Sequence, residues 1–107
     1  MRVGVIILAR LGSSRLPGKV LLPFGTTSVL GQTIARAQAI DSQPVVIVAT
    51  TRDFSDDPIE AEARAMGAEC VRGSEWDILE RCKLAVTEFE LDCFFRLGAD
   101  CPLFDLN

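Results

Sequence analysis

The chain of 107 residues has no histidine, and its four cysteines contain no Cys-x-x-Cys pair. The first absence removes the usual general base of Ser-His hydrolysis and the imidazole ligands of zinc catalysis. The second means that a thiolate zinc site would need Cys70, Cys82, Cys93 and Cys101 gathered from scattered positions. Four small buried hydrophobes in a reduced, cytoplasmic protein are the simpler expectation. Positive charge is also scarce: 11 Lys and Arg against 15 Asp and Glu leave a net −4. Nucleic acid and anionic membrane select basic faces, so neither is expected as a partner. No apolar run nears the roughly 20 residues of a membrane span. "MRVGVIIL" is too short for a signal-peptide core, and "ARLGSSR" offers no cleavage site. Internal repeats and low-complexity tracts are missing too.

What is present is ordinary globular composition, 49% apolar and 24% charged, in a length that fits one domain. A chain of this size buries roughly two-thirds of its unfolded surface, enough for a core without staples. Continuous β-branched runs alternate with helical patterns. "RVGVIILA" (2–9), "PVVIVAT" (44–50), "AECV" (68–71) and "DCFFRL" (92–97) read as strands, the first two covered on both faces. Between them, "SVLGQTIARAQAI" places Leu30, Ile34 and Ala37 on one helical stripe, with Thr27 or Ser28 as cap. In "DDPIEAEARAMG", Asp57 is expected to cap, Pro58 to take the first turn and Gly67 to stop the helix. "SEWDILERCKLAVTEF" reads as a Ser74–Asp77 capping box with Ile78, Cys82, Ala85 and Phe89 on one face. The alternation predicts an α/β fold of three α/β/α layers, with a mainly parallel sheet and strand order 3-2-1-4. In that order the last strand is an open edge, and its apolar "CFFRL" must pair with another copy or be shielded by the final residues.

Ligands of such sheets bind beyond the carboxyl ends of the strands. Two unusual segments fall there: "RLGSSRLPGK" (10–19) and "GADCPLFD" (98–105). The first is not a Walker A loop, because five residues separate Gly12 from Gly18-Lys19 and Val20 replaces the magnesium-binding Ser or Thr. Nor is it the dinucleotide fingerprint Gly-x-Gly-x-x-Gly. Gly12, Ser13 and Ser14 can nevertheless present backbone amides in a concave turn, and Arg10, Arg15 and Lys19 bring three positive charges to one loop. A phosphate grip and a long loop of solvated cations both fit those residues.

The full string "IILARLGSSRLPGKVLLPFG" resembles the N-terminal motif of the sugar-activating cytidylyltransferases, the acylneuraminate and 3-deoxy-manno-octulosonate enzymes, and most of all their spore coat polysaccharide branch. Ala9, Arg10, Gly12, Ser13, Arg15, Leu16, Pro17, Gly18 and Lys19 match, and the likeness continues through "VVIVATT", "DDPIEAEARAMGAECVRGSEWDILERC" and "RLGADCPLFD". It implies a Rossmann-like nucleotidyltransferase fold and transfer of CMP from CTP to a sugar hydroxyl, with release of pyrophosphate. Ala9, Arg10, Gly12, Ser13, Ser14, Arg15 and Lys19 would then hold the nucleotide's phosphates, with Lys19 and Arg10 catalytic. Arg72, Gly73 and Ser74 would lie by base and ribose, and Asp100 would bind magnesium (Mg2+). Asp77 and Arg81 are similar to family positions as well, although a capping acid and a solvated helix cation account for them. The resemblance further implies that residues 1–107 are the nucleotide-binding half, with the sugar-binding half absent and a homodimer as the assembly. A nucleotide-binding module without turnover, or a transferase using another nucleotide, are the alternatives.

Overall fold

In the computed structural model, residues 1–11, 23–24 and 27–98 are described. In chain order the elements are β1 (Val3–Leu8), β2 (Pro23–Phe24), β3 (Thr27–Ser28), α1 (Val29–Gln38), β4 (Val45–Thr51), a 3-10 turn (Phe54–Asp56), α2 (Asp57–Ala65), β5 (Glu69–Gly73), α3 (Ile78–Phe89) and β6 (Cys93–Gly98). The four longer strands form one parallel sheet in the order β5-β4-β1-β6, the expected 3-2-1-4. β1 lies at its centre, with Ile6 opposite Ile47 on one side and Arg96 on the other.

The side-chain alternation of the strands builds a core on each face. Val5, Ile7, Val46, Val48 and Cys70 point to one side, where they meet Leu30, Ile34 and Ala37 of α1 and Ile59 and Ala63 of α2. Ile6, Ile47, Ala49 and Val71 point to the other and meet Cys82 and Ala85 of α3, with Leu91. Strands coated on both faces must be apolar without interruption, which is why β1 and β4 read as continuous runs.

The cap of α1 is Ser28, whose Oγ accepts from Gly31 N at 2.9 Å. Gly67 follows α2 at φ +78°, a left-handed stop that costs glycine nothing. Two local expectations need correction. Asp57 is the first residue of α2 and not its cap; Asp56 holds that position, without a capping bond from its side chain. Likewise α3 is capped by Asp77, whose carboxylate accepts from Glu80 N at 3.2 Å, while Ser74 lies a turn earlier and accepts from Trp76 and Asp77 N. Glu80 reaches back past the cap to Ser74 N, at 2.7 Å. The third strand runs on to Gly73, because Arg72 and Gly73 still pair with Thr50 and Thr51. The short β2–β3 pair was not expected from the sequence.

Candidate functional site

The carboxyl ends of β1, β4 and β5 lie side by side, and the segments leaving them converge. Leu11, just beyond β1, donates its N–H to Asp56 Oδ1 at 2.7 Å. The other oxygen of Asp56 accepts from the Thr51 hydroxyl at the end of β4. Asp56 is 3% exposed, so its two oxygens are the buried peg to which the root of the 10–19 segment is tied. This peg was missed in the sequence, where the adjacent Asp57 is read as the cap.

Arg10 emerges next to that root. Its guanidinium lies 5.9 Å from the centroid of the Trp76 ring and 3.7 Å from Glu75 Oε1. Both contacts come from the turn between β5 and α3, a cation–π contact and an ion pair that draw the head group toward that turn. Arg10 is only partly exposed there. Ala9, grouped with it by resemblance, contributes backbone: its side chain is buried and its N–H donates to Ala49 O at 3.2 Å.

Arg81 departs most from expectation. A helix cation in solvent was anticipated, but its side chain is 3% exposed. One N–H donates to Ala49 O at 3.3 Å, while Nε has no hydrogen-bond partner among the described residues. Burial first, and then the like charge of Arg10, hold its pKa below the ordinary arginine value. The signal was in the sequence: Ile78, Arg81, Cys82 and Ala85 have the i, i+3, i+4, i+7 spacing of a buried stripe. Within that stripe Ile78 is the half-exposed member and the arginine is inside. Gly73 makes the room. A Cβ there would come within 2.9 Å of Arg81 Cγ and 2.9 Å of Leu84 Cδ1.

Arg72 is already engaged. It donates from Nε to Thr51 O at 2.6 Å, from one terminal nitrogen to Asp53 O at 2.7 Å, and from the other to Asp57 and Glu60 at 2.9 and 3.1 Å. Desolvation pulls its pKa down, yet the bonds to Asp57 and Glu60 raise it overall. Its guanidinium therefore clamps β5 to α2. Ser74 shapes the turn that carries Glu75 and Trp76. The remaining expected site residues, Gly12, Ser13, Ser14, Arg15, Lys19 and Asp100, lie outside the described residues. Among the described residues no group of three or more Cys, Asp or Glu is placed to hold a metal ion.

The site is thus the mouth of a parallel sheet where Arg10 follows β1 and the buried Arg81 bonds to Ala49 of the neighbouring β4. The chain matches the family described as cytidylyltransferase over residues 4–106. It is 34% identical over 104 residues to the spore coat polysaccharide biosynthesis protein SpsF of Bacillus subtilis, covering 94% of this chain and 43% of that protein. Its fold superposes on the structure of a cytidylyltransferase from Leptospira borgpetersenii with a TM-score of 0.94 and 42% identity, over 99% of this chain and 44% of the other. A CMP:2-keto-3-deoxy-manno-octonic acid synthetase solved with CTP gives a TM-score of 0.82 and 27% identity, over 99% and 43%. The chain spans less than half the length of these relatives.

Proposed function

Because the chain belongs to the cytidylyltransferase family, we propose that it carries the nucleotide-binding half of an enzyme that transfers CMP from CTP to a sugar hydroxyl, in the making of a cell-surface polysaccharide. The observation that carries this reading is the placement of Arg10. It stands at the carboxyl end of the central strand, oriented by Trp76 and Glu75, with the root of the basic segment pegged by Asp56 beside it. That is where doubly covered parallel sheets bind their ligands.

In this reading Arg10, Arg15 and Lys19 take the triphosphate, with the Gly12–Ser14 amides between its oxygens. The sugar hydroxyl attacks the α-phosphorus, the bond to the bridging oxygen breaks, and pyrophosphate leaves with its charge spread over the three cations. Catalysis is then chiefly positioning and electrostatic stabilisation. Within these residues there is no histidine, so a base drawn from this half would be a carboxylate. Magnesium, when bound at Asp100 and the phosphates, would supply charge neutralisation there.

A second reading is that residues 1–107 bind the nucleotide without turnover. Thermal melts with CTP, GTP, ATP or dTTP and magnesium, on the wild type and Lys19→Ala, test the shared part. CTP at a hundred times its dissociation constant is expected to add about 2.7 kcal/mol of stability, and the variant to lose it. If no nucleotide shifts the melting temperature, both readings fail. Release of pyrophosphate when sugar acids are supplied separates the two.

A further inference from the structure

We infer that Arg81, together with Arg10, seats a phosphoryl group of the ligand at the carboxyl ends of β1 and β4. The inference rests on the anionic-ligand part of the reading above, and adds a residue from another element, α3, to that of the loop.

The argument begins with an imbalance. A buried guanidinium normally has carboxylates or several carbonyls around it, since desolvating an unpaired charge is costly. Arg81 has neither among the described residues. Its one bond goes to a carbonyl that already accepts from Ala9 N, and its Nε–H is orphaned. The nearest buried acid, Asp56, has its oxygens occupied by Thr51 and Leu11. Two further terms are unfavourable. Arg81 is the fourth residue of α3, at the helix end that repels cations, and Arg10 adds a like charge.

A single anion reverses all three terms. It accepts the orphaned N–H, lies between two guanidinia and sits at the helix end that favours negative charge. Two arginine forks close enough to feel each other's charge are a donor set suited to the tetrahedral oxygens of a phosphoryl group. The fold also makes space for this arginine: the stem passes where a side chain at residue 73 would be. A buried arginine whose role was only to hold the Ala49 carbonyl would explain neither the orphaned Nε nor the pairing with Arg10.

The test separates a seat from a strut. Arg81→Met keeps the stem and removes the charge. The inference predicts a melting temperature without ligand that is unchanged or raised, because an uncompensated buried charge is gone. Affinity by titration calorimetry for CTP and for inorganic triphosphate, with magnesium, should fall at least about tenfold. Cytidine, which has no phosphate, should bind as before. A melting temperature that drops while triphosphate binds as in the wild type overturns the inference. So does an equal loss for cytidine and CTP, which would put Arg81 at the base.

Inorganic triphosphate also keeps the two readings apart. If it binds through Arg81 while CTP is not preferred over other nucleotides, the cytidylyl reading falls and the seat stands. If it does not bind to the wild type, the seat falls. Should Arg81→Met not fold, the Nε–H resonance of Arg81 in the wild type, assigned with Arg81→Lys, gives the answer. It is expected to shift on adding inorganic triphosphate, and an unmoved signal at saturation overturns the proposal.

Discussion

β5 and β6 are the two outer strands of one parallel sheet, and each pairs with an interior neighbour along its length. Their surroundings are opposite. Cys70, Val71 and Gly73 of β5 are buried between α2 and α3, and Arg72 closes the strand's end with four bonds to residues 51–60. On β6 only Leu97 packs against the core; Phe94 is 39% and Phe95 65% exposed. The difference teaches that ladder hydrogen bonds place a strand without burying it. Burial comes from the crossover helices, and all three lie over the β5–β4–β1 part of the sheet. One edge is finished by its own chain, while the other is an apolar strand that, among the described residues, has no partner on its outer rim and is a ready template for pairing.

The largest effect is expected from opening the finished edge. Arg72→Met removes this donor from Thr51 O, Asp53 O and Asp57, and leaves Glu60 with Arg64 alone. Loss of several charge-assisted bonds, discounted for partial exposure, should cost about 2 kcal/mol in urea denaturation. The same variant sharpens the assignment of the site. Since the guanidinium is committed to α2, the stabilisation by CTP should survive in Arg72→Met. A nucleotide effect that vanishes while stability is unchanged would return Arg72 to the base and ribose, where family resemblance puts it.

The acid limb of stability probes the same clamp more gently. Bonds from Arg64 and then Arg72 hold the Glu60 carboxyl below its ordinary value of 4.5. A depressed carboxylate pKa contributes stability that is fully present above 4.5 and is lost as pH falls through the folded-state value. Melting temperature should therefore decline below pH 4.5 in the wild type and less steeply in Glu60→Gln, which starts lower at neutral pH. Parallel acid limbs in the two proteins would remove Glu60 from the account.

These particular residues also show how much of the molecule was legible in its sequence. Strand runs, the α1 stripe and the order of the sheet were legible because continuous β-branched residues and helical periodicity are imposed by coverage on two faces. What was not legible was decided by contacts distant in sequence. Asp57 is the cap read from the sequence, whereas Asp56 stands at that position with its carboxylate taken by Thr51 and by Leu11, 45 residues away. Ser74 and Asp77 compete in the same way, and Glu80 settles the matter by bonding to Ser74 N. Charge alone places Arg81 in solvent. Its place in the apolar stripe of α3 carried the opposite message, and the room that Gly73 leaves shows only in three dimensions. The basic loop was recognised as a motif, yet of its charged residues only Arg10 is placed among the described ones.

The smallest effect on folding, and the sharpest on the comparison, belongs to the open edge. Phe95 faces outward from β6, so Phe95→Lys removes little packing and should change unfolding free energy by no more than about 0.5 kcal/mol. A lysine on an exposed edge is a device that proteins use to stop strands pairing. If the rim of β6 associates with a second copy, sedimentation of the wild type should show a concentration-dependent dimer that Phe95→Lys reduces to monomer at the same melting temperature. Hydrogen exchange gives the complementary view: amides of 93–97 should be protected in the dimer and exchange faster in the variant, while those of β5 stay unchanged in both. A wild type that remains monomeric, with β6 amides exchanging fast, would mean that this edge is left open by the chain and not closed by a copy of itself. The asymmetry between the two edges would then be an intrinsic property of the folded monomer.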